Sequence, residues 1–153
     1  DQPKADKIIA DFAAFNGDLS RWDVRNVTRM SDMFQGAEAF NCDLSRWNVR
    51  NVNDMSGMFS GHATAFNGDL SRWDVHNVED MLDMFHGAAA FNGDLSRWDV
   101  SSVKDMRYMF QDAAAFNGDL SLWDVSSATN MRDDMFEGAV AYRPEHALGS
   151  RRP

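Results

Sequence analysis

Cysteine occurs once in these 153 residues, at Cys42, so no internal disulfide can form. Neither that thiol nor the four histidines, His62, His76, His86 and His146, make a zinc-ligand spacing. No metal or other cofactor is therefore expected. Basic residues are in deficit, 15 Lys plus Arg against 24 Asp plus Glu, for a formal charge of −9. That charge repels phosphate backbones and anionic lipid, so a nucleic-acid partner is not expected. No apolar run approaches the ~18 residues that cross a bilayer, which argues against direct membrane insertion. The longest apolar stretch near the start is Ile8-Ile9-Ala10, too short for a signal peptide.

What the chain does have is a repeat. Its tryptophans stand at 22, 47, 73, 98 and 123, in steps of 25, 26, 25 and 25. The ten methionines follow as Met30/Met33, Met55/Met58, Met81/Met84, Met106/Met109 and Met131/Met135. Phe15, Phe40, Phe66, Phe91 and Phe116 open the units, and Tyr142 takes that place at the end. Five repeats thus fill 15–141 of a single domain, with 1–14 as an N-terminal cap or decayed repeat and 142–153 as a C-terminal cap or tail. Single insertions fall at Gly61-His62-Ala63 and Arg132-Asp133-Asp134. Aligned on Phe15, Ile8-Ile9 matches Met33-Phe34, and thin caps of this kind imply either further chain or a partner over the stack's edges.

Within a unit, Trp22 and Val24 alternate with Arg21, Asp23 and Arg25, which predicts a strand with one buried face. Val27, Met30, Met33, Phe34 and Ala37 are spaced as one side of a short helix. Asn26, Asn51, Asn77, Ser102 and Ser127 stand where that helix needs caps, and Gly36, Gly61, Gly87 and Gly138 where it ends. The predicted fold class is therefore α/β, a right-handed solenoid of about five parallel strands with the helices on the other face. At ~4.8 Å between strands the sheet spans about 20 to 25 Å. Trp, Phe, Met, Leu and Val form its internal columns.

The run Leu19-x-x-Trp22-x-Val24-x-x-Val27-x-x-Met30-x-x-Met33-Phe34-x-Gly36 resembles a leucine-rich repeat, and in particular the mycoplasma-lipoprotein-type repeat of BspA-like leucine-rich repeat surface proteins. All five units carry its F-N-x-D-x-S-x-W-x-V and M-F signatures, and the first three its N-V-x-x-M, which becomes Ser102-Val103 and Ser127-Ala128 in the last two. The resemblance implies a surface-displayed or secreted scaffold for adhesion or protein binding, with no catalytic residues.

The outward positions of the predicted strands form the candidate partner-binding face. They are Arg21, Arg46, Arg72, Arg97 and Leu122; Asp23, Asn48, Asp74, Asp99 and Asp124; and Arg25, Arg50 and His76, followed by Ser101 and Ser126. A protein, or a glycan, is the expected partner on this face, expected to be concave. The bland alternative is an Arg to Asp ladder that neutralises itself. Asp18, Asp43, Asp69, Asp94 and Asp119 make a second ladder, for which calcium is the sharp reading and turn hydrogen bonds the favoured one. Cys42 replaces glycine in that turn. Repeated serines lack a repeated histidine, and stacked carboxylates are all alike, so no enzyme is expected. The alternative to recognition is a structural subunit of a larger assembly, contacting neighbours through its ends and helix face. Leu82, Tyr108 and Leu122 are the few apolar residues outside the pattern that such contacts would use.

Overall fold

The computed structural model describes residues 7, 10–131 and 133–148. The register of Ile8-Ile9 and the fate of 149–153 lie outside the described residues. The five repeats stack as coils, but not as the expected α/β solenoid. Among the described residues there is no strand and no sheet, only isolated parallel bridges linking Arg29, Asp54, Asp80, Asp105 and Asn130 in sequence. Helix is confined to residue 7 and 10–13, with 3-10 turns at Asp133–Phe136 and Pro144–His146. The first of these turns falls at the second insertion.

A coil is built instead from turns closed by i to i−3 hydrogen bonds. Trp22 N–H donates to the Leu19 carbonyl, Val27 to Val24, Met33 to Met30, Ala37 to Phe34 and Phe40 to Ala37, at 2.9–3.3 Å. Apolar residues three apart are the corners of these turns, and both corners face inward. The same spacing fits a helix face, which is why a helix was the natural expectation. Left-handed backbone decides against it: φ is 56° at Asp32 and 72° at Gly36, so no run of turns can continue as a helix. Gly57 occupies the Asp32 position one coil on, where a Cβ would collide with the Asp32 carboxylate. The strand fails for a related reason. Of its alternating residues, Arg21 and Arg25 belong to the two turns and Trp22-Asp23-Val24 are only the join between them.

Parallel pairing occurs in the segment expected to be helical. Met30, Asp32, Phe34 and Gly36 N–H groups donate to the carbonyls of Asp54, Ser56, Met58 and Ser60 at 2.8–3.0 Å. The same four rungs join the third coil to the fourth, from Met81, Asp83, Phe85 and Gly87. Every second N–H thus bonds to the next coil, while the alternate ones close turns within their own. The expected caps do other work: Asn51 and Asn77 donate their side-chain amides to the Arg25 and Arg50 carbonyls of the preceding coil, at 2.7 and 2.8 Å.

The core is a double column of rings. Phe34, Phe59, Phe85, Phe110 and Phe136 stack at 5.5–5.6 Å, beside Phe15, Phe40, Phe66, Phe91, Phe116 and Tyr142 at 5.8–6.1 Å. The two columns touch at 3.9–4.0 Å within each pair, as between Phe85 and Phe91. Trp47, Trp73 and Trp98 stack with ring centroids 6.4 Å apart. Leu, Met and Val of the middle repeats complete a fully buried interior. Burying one such large apolar side chain is worth roughly 1.5–3 kcal/mol, and the columns supply many without disulfides.

Candidate functional site

Two turns flank each tryptophan, and both are set by carboxylates or amides that accept a backbone N–H two residues on. Asp43 Oδ1 accepts from Ser45 N–H at 2.9 Å, and Asp18, Asp69, Asp94 and Asp119 do the same for Ser20, Ser71, Ser96 and Ser121 at 2.9–3.0 Å. At the second turn Asp23 accepts from Arg25, Asn48 from Arg50, Asp74 from His76, Asp99 from Ser101 and Asp124 from Ser126, at 3.0–3.5 Å. The candidate partner-binding columns therefore sit on turns, not on a strand face. Their outward direction holds: Arg21, Arg46, Arg72, Arg97 and Leu122 are all exposed, as are Asp23, Asn48, Asp74 and Asp99, Arg25 and Arg50, with His76 half-buried. They lie on the Trp side of the stack.

Electrostatics divides these columns. Arg25 pairs with Asp23 at 2.7 Å and His76 with Asp74 at 2.6 Å, as the self-neutralising reading expects. Hydrogen bonding to His76 holds the Asp74 carboxyl below its usual range. Arg46, Arg72 and Arg97 stand near Asp43, Asp69 and Asp94, whose carboxyls are lowered first by the Ser45, Ser71 and Ser96 hydrogen bonds and only then by the arginines. Among the described residues, Arg21, Arg46, Arg72 and Arg97 form no ion pair within 4.0 Å. They form an exposed row of guanidinium groups, each beside a turn aspartate.

The Asp18 to Asp119 ladder is occupied by its own serine turns, and beside it Asn41, Asn67, Asn92 and Asn117 N–H groups each donate to the preceding Asn side chain at 2.8–2.9 Å. Cys42 is half-buried and its Sγ accepts the Leu19 N–H at 3.2 Å. Among the described residues no three His, Cys, Asp or Glu side chains are placed to hold a metal ion.

One feature was not legible as a site. The insertion at His62 (φ 76°) removes the rung that Gly61 would make, and opens a cleft of about 380 Å³ lined by His62, Thr64, His86, Asp112 and two glycines. His86 lies between Asp83 at 3.2 Å and Asp112 at 3.8 Å. The sequence signal was the single 26-residue step, with histidines at otherwise unrepeated positions.

These observations define a tandem-repeat protein of turn-built coils with exposed polar columns. The chain belongs to the family described as Mycoplasma protein of unknown function, DUF285, which matches it over residues 4–77 and 61–147. No curated protein and no solved structure matches the chain. No helix among the described residues is long and apolar enough to cross a membrane.

Proposed function

We propose that this chain is a non-catalytic scaffold for protein binding or adhesion, displayed on a cell surface or secreted, and kin to the BspA-like surface proteins. The kinship rests on the repeat signatures, F-N-x-D-x-S-x-W-x-V followed by N-V-x-x-M and M-F, and not on the architecture of leucine-rich repeats. The observation that carries the reading is the row Arg21, Arg46, Arg72 and Arg97, exposed and outside the ion pairs of the fold. Held at the regular spacing of a ring-stacked core, such a row suits an extended acidic or polar partner, because preorganised side chains lose little entropy on binding. Leu122 continues the row as an apolar position, 72% exposed.

A second reading, a structural subunit in a larger assembly, is favoured by one observation: Trp22 is 56% exposed at the N-terminal end. Leu82 and Tyr108, candidates for helix-side contacts, are half-buried, which leaves the ends as the apolar surfaces for such a role. A pull-down from an extract or surface preparation of the source organism separates the two. The native chain is compared with Arg46→Glu/Arg72→Glu/Arg97→Glu, both checked for folding by circular dichroism. Capture lost in the variant supports recognition through the arginine row. Capture that survives it rejects that face and favours the ends.

A further inference from the structure

We propose that the cleft at His62 is a binding site for a neutral, amide-bearing sugar: the terminal N-acetylamino sugar of a glycan. The cleft uses none of the arginine row, so the two surfaces stand or fall separately. It begins as a break in the ladder between coils. Elsewhere two kinds of rung bracket the turn that leads into each opening aromatic. Gly36, Gly87 and Asp112 N–H groups donate forward, to the Ser60, Gln111 and Glu137 carbonyls, and Ala39, Ala65, Ala115 and Ala141 donate back, to Ala13, Glu38, Ala89 and Ala114, all at 2.7–3.3 Å. Between the second and third coils both are missing. Gly61 N–H does not reach the His86 carbonyl, nor Ala90 N–H the Thr64 carbonyl.

The inserted His62 leaves further groups over. Among the described residues its own N–H donates to no protein acceptor, and its nitrogen lies 3.6 Å from where a Cβ on Gly87 would stand. The break is closed on both sides. Phe59 N–H bonds to the Met84 carbonyl at 2.9 Å before it, and Asn92 N–H to the Asn67 side chain at 2.9 Å after it. An opening bounded in this way takes one compact group rather than a threaded chain. Its volume of about 380 Å³ falls in the ~300–1,000 Å³ range of small-molecule sites.

The unpaired groups select the ligand. A cation would leave the Gly61 and His62 N–H groups unmet. An anion would face Asp83 and Asp112, which flank His86 at 3.2 and 3.8 Å, and no Lys or Arg lines the cleft to offset them. A neutral group with an acceptor and a donor side by side satisfies both coils. An amide is such a group: its carbonyl accepts from Gly61 N–H and its N–H donates to the His86 carbonyl, so that the ligand completes the missing rung. An acetyl methyl suits the small surface of Gly87 and Ala89. Around it the exposed Asp112 carboxylate and Thr64 hydroxyl offer acceptors for the hydroxyl groups of a sugar ring.

The test titrates the ¹⁵N-labelled full chain with N-acetylglucosamine and with N-acetylgalactosamine, following the backbone amide signals of Gly61, His62 and Ala90. At least one of the two sugars is expected to shift these signals saturably, and its parent hexose, which lacks the acetamido group, to bind at least about tenfold more weakly. Deletion of His62 closes the ladder and is expected to abolish the response in a chain shown by circular dichroism to be folded. Ala89→Trp keeps the test decisive if the deletion does not fold, since Ala89 is exposed and a large ring there fills the cleft from outside the core. No saturable shift with either sugar overturns the proposal, as does an equal response to the parent hexose. A response that survives in either folded variant places binding elsewhere and also overturns it. Tighter binding of N-acetylglutamine amide at the same three signals would make the cleft a site for a peptide side chain, and would overturn the sugar.

Discussion

Trp73 donates its indole N–H to the carbonyl of Leu44 at 2.9 Å, across the join between two coils and inside the core. Trp73→Phe keeps a ring in the column but removes one of the two hydrogen bonds to that carbonyl, which still accepts the Trp47 N–H at 3.0 Å, at a cost of about 0.5–1.5 kcal/mol. Trp22→Phe removes no such bond and should stay within about 0.5 kcal/mol of the native chain. Urea denaturation of the two variants side by side checks the difference. Equal effects would mean that the indole bond contributes nothing beyond ring packing.

Asp80 carries the second prediction. It stands in the bridge column between Asp54 and Asp105, which are relieved by Arg29 at 3.2 Å and Arg107 at 2.7 Å. Burial pushes the Asp80 carboxyl up, the flanking carboxylates add to that, and the Leu82 N–H only partly opposes them. A carboxyl raised in the folded state is least costly below its unfolded value of 3.8, and its cost grows as pH rises through the folded value. At neutral pH the full cost is present. Asp80→Asn keeps the acceptor for Leu82 N–H, and Asn130 already fills the equivalent place in the fifth coil. The variant should melt about 1–3 °C higher at pH 7, allowing for solvent screening, and match the native chain near pH 3. Thermal scans at both pH values decide it.

The serine-turn aspartates have the opposite sign. Hydrogen bonds from Ser45, Ser71 and Ser96 hold the Asp43, Asp69 and Asp94 carboxyls below 3.8. Their contribution is present above the unfolded value and is lost as pH falls through the lowered folded values. The chain should therefore lose stability in acid below about pH 4. Asp43→Asn/Asp69→Asn/Asp94→Asn retains each turn acceptor without a titrating group, as Asn48 does naturally for Arg50 at 3.3 Å. Its melting temperature should fall less than that of the native chain between pH 5 and pH 2.5, a window chosen to bracket the carboxylate range. Parallel slopes would show that these turns carry no linkage.

The period, the five units and the identity of the buried residues were legible because tryptophan, phenylalanine and methionine recur at one spacing, and a repeat can bury them only against its neighbours. The outward columns were legible too, since the side chains between inward corners must face solvent. Secondary structure was not. Val27, Met30, Met33 and Phe34 are spaced identically on a short helix and on linked turns, and only the left-handed φ at Asp32 and Gly36 separates the two. Asp32 gives little warning, because aspartate also suits the first turn of a helix. Asp23 and Asp18, read as an outward strand residue and a connecting turn, both serve as turn acceptors. The cleft at His62 arises from a missing hydrogen bond, which no residue pattern displays.

That missing bond gives the last prediction. The first-to-second and third-to-fourth coil interfaces each carry four rungs, whereas the second-to-third carries those of Met55, Gly57 and Phe59 and lacks the one from Gly61 to the His86 carbonyl. Deletion of His62 turns Gly61-His62-Ala63 into the Gly36-Ala37 pattern of the first coil, where Gly36 N–H bonds to Ser60 at 3.0 Å. It also removes a non-glycine residue held at φ 76°, a conformation that costs about 1–2 kcal/mol. The regained rung adds about 0.5–1.5 kcal/mol, so the shortened chain should melt several degrees higher. Amide exchange then separates a regular stack from a site: protection of Gly61 with full partner capture would make the insertion a tolerated irregularity. Protection with capture lost would assign binding to the His62, His86 and Asp112 cleft.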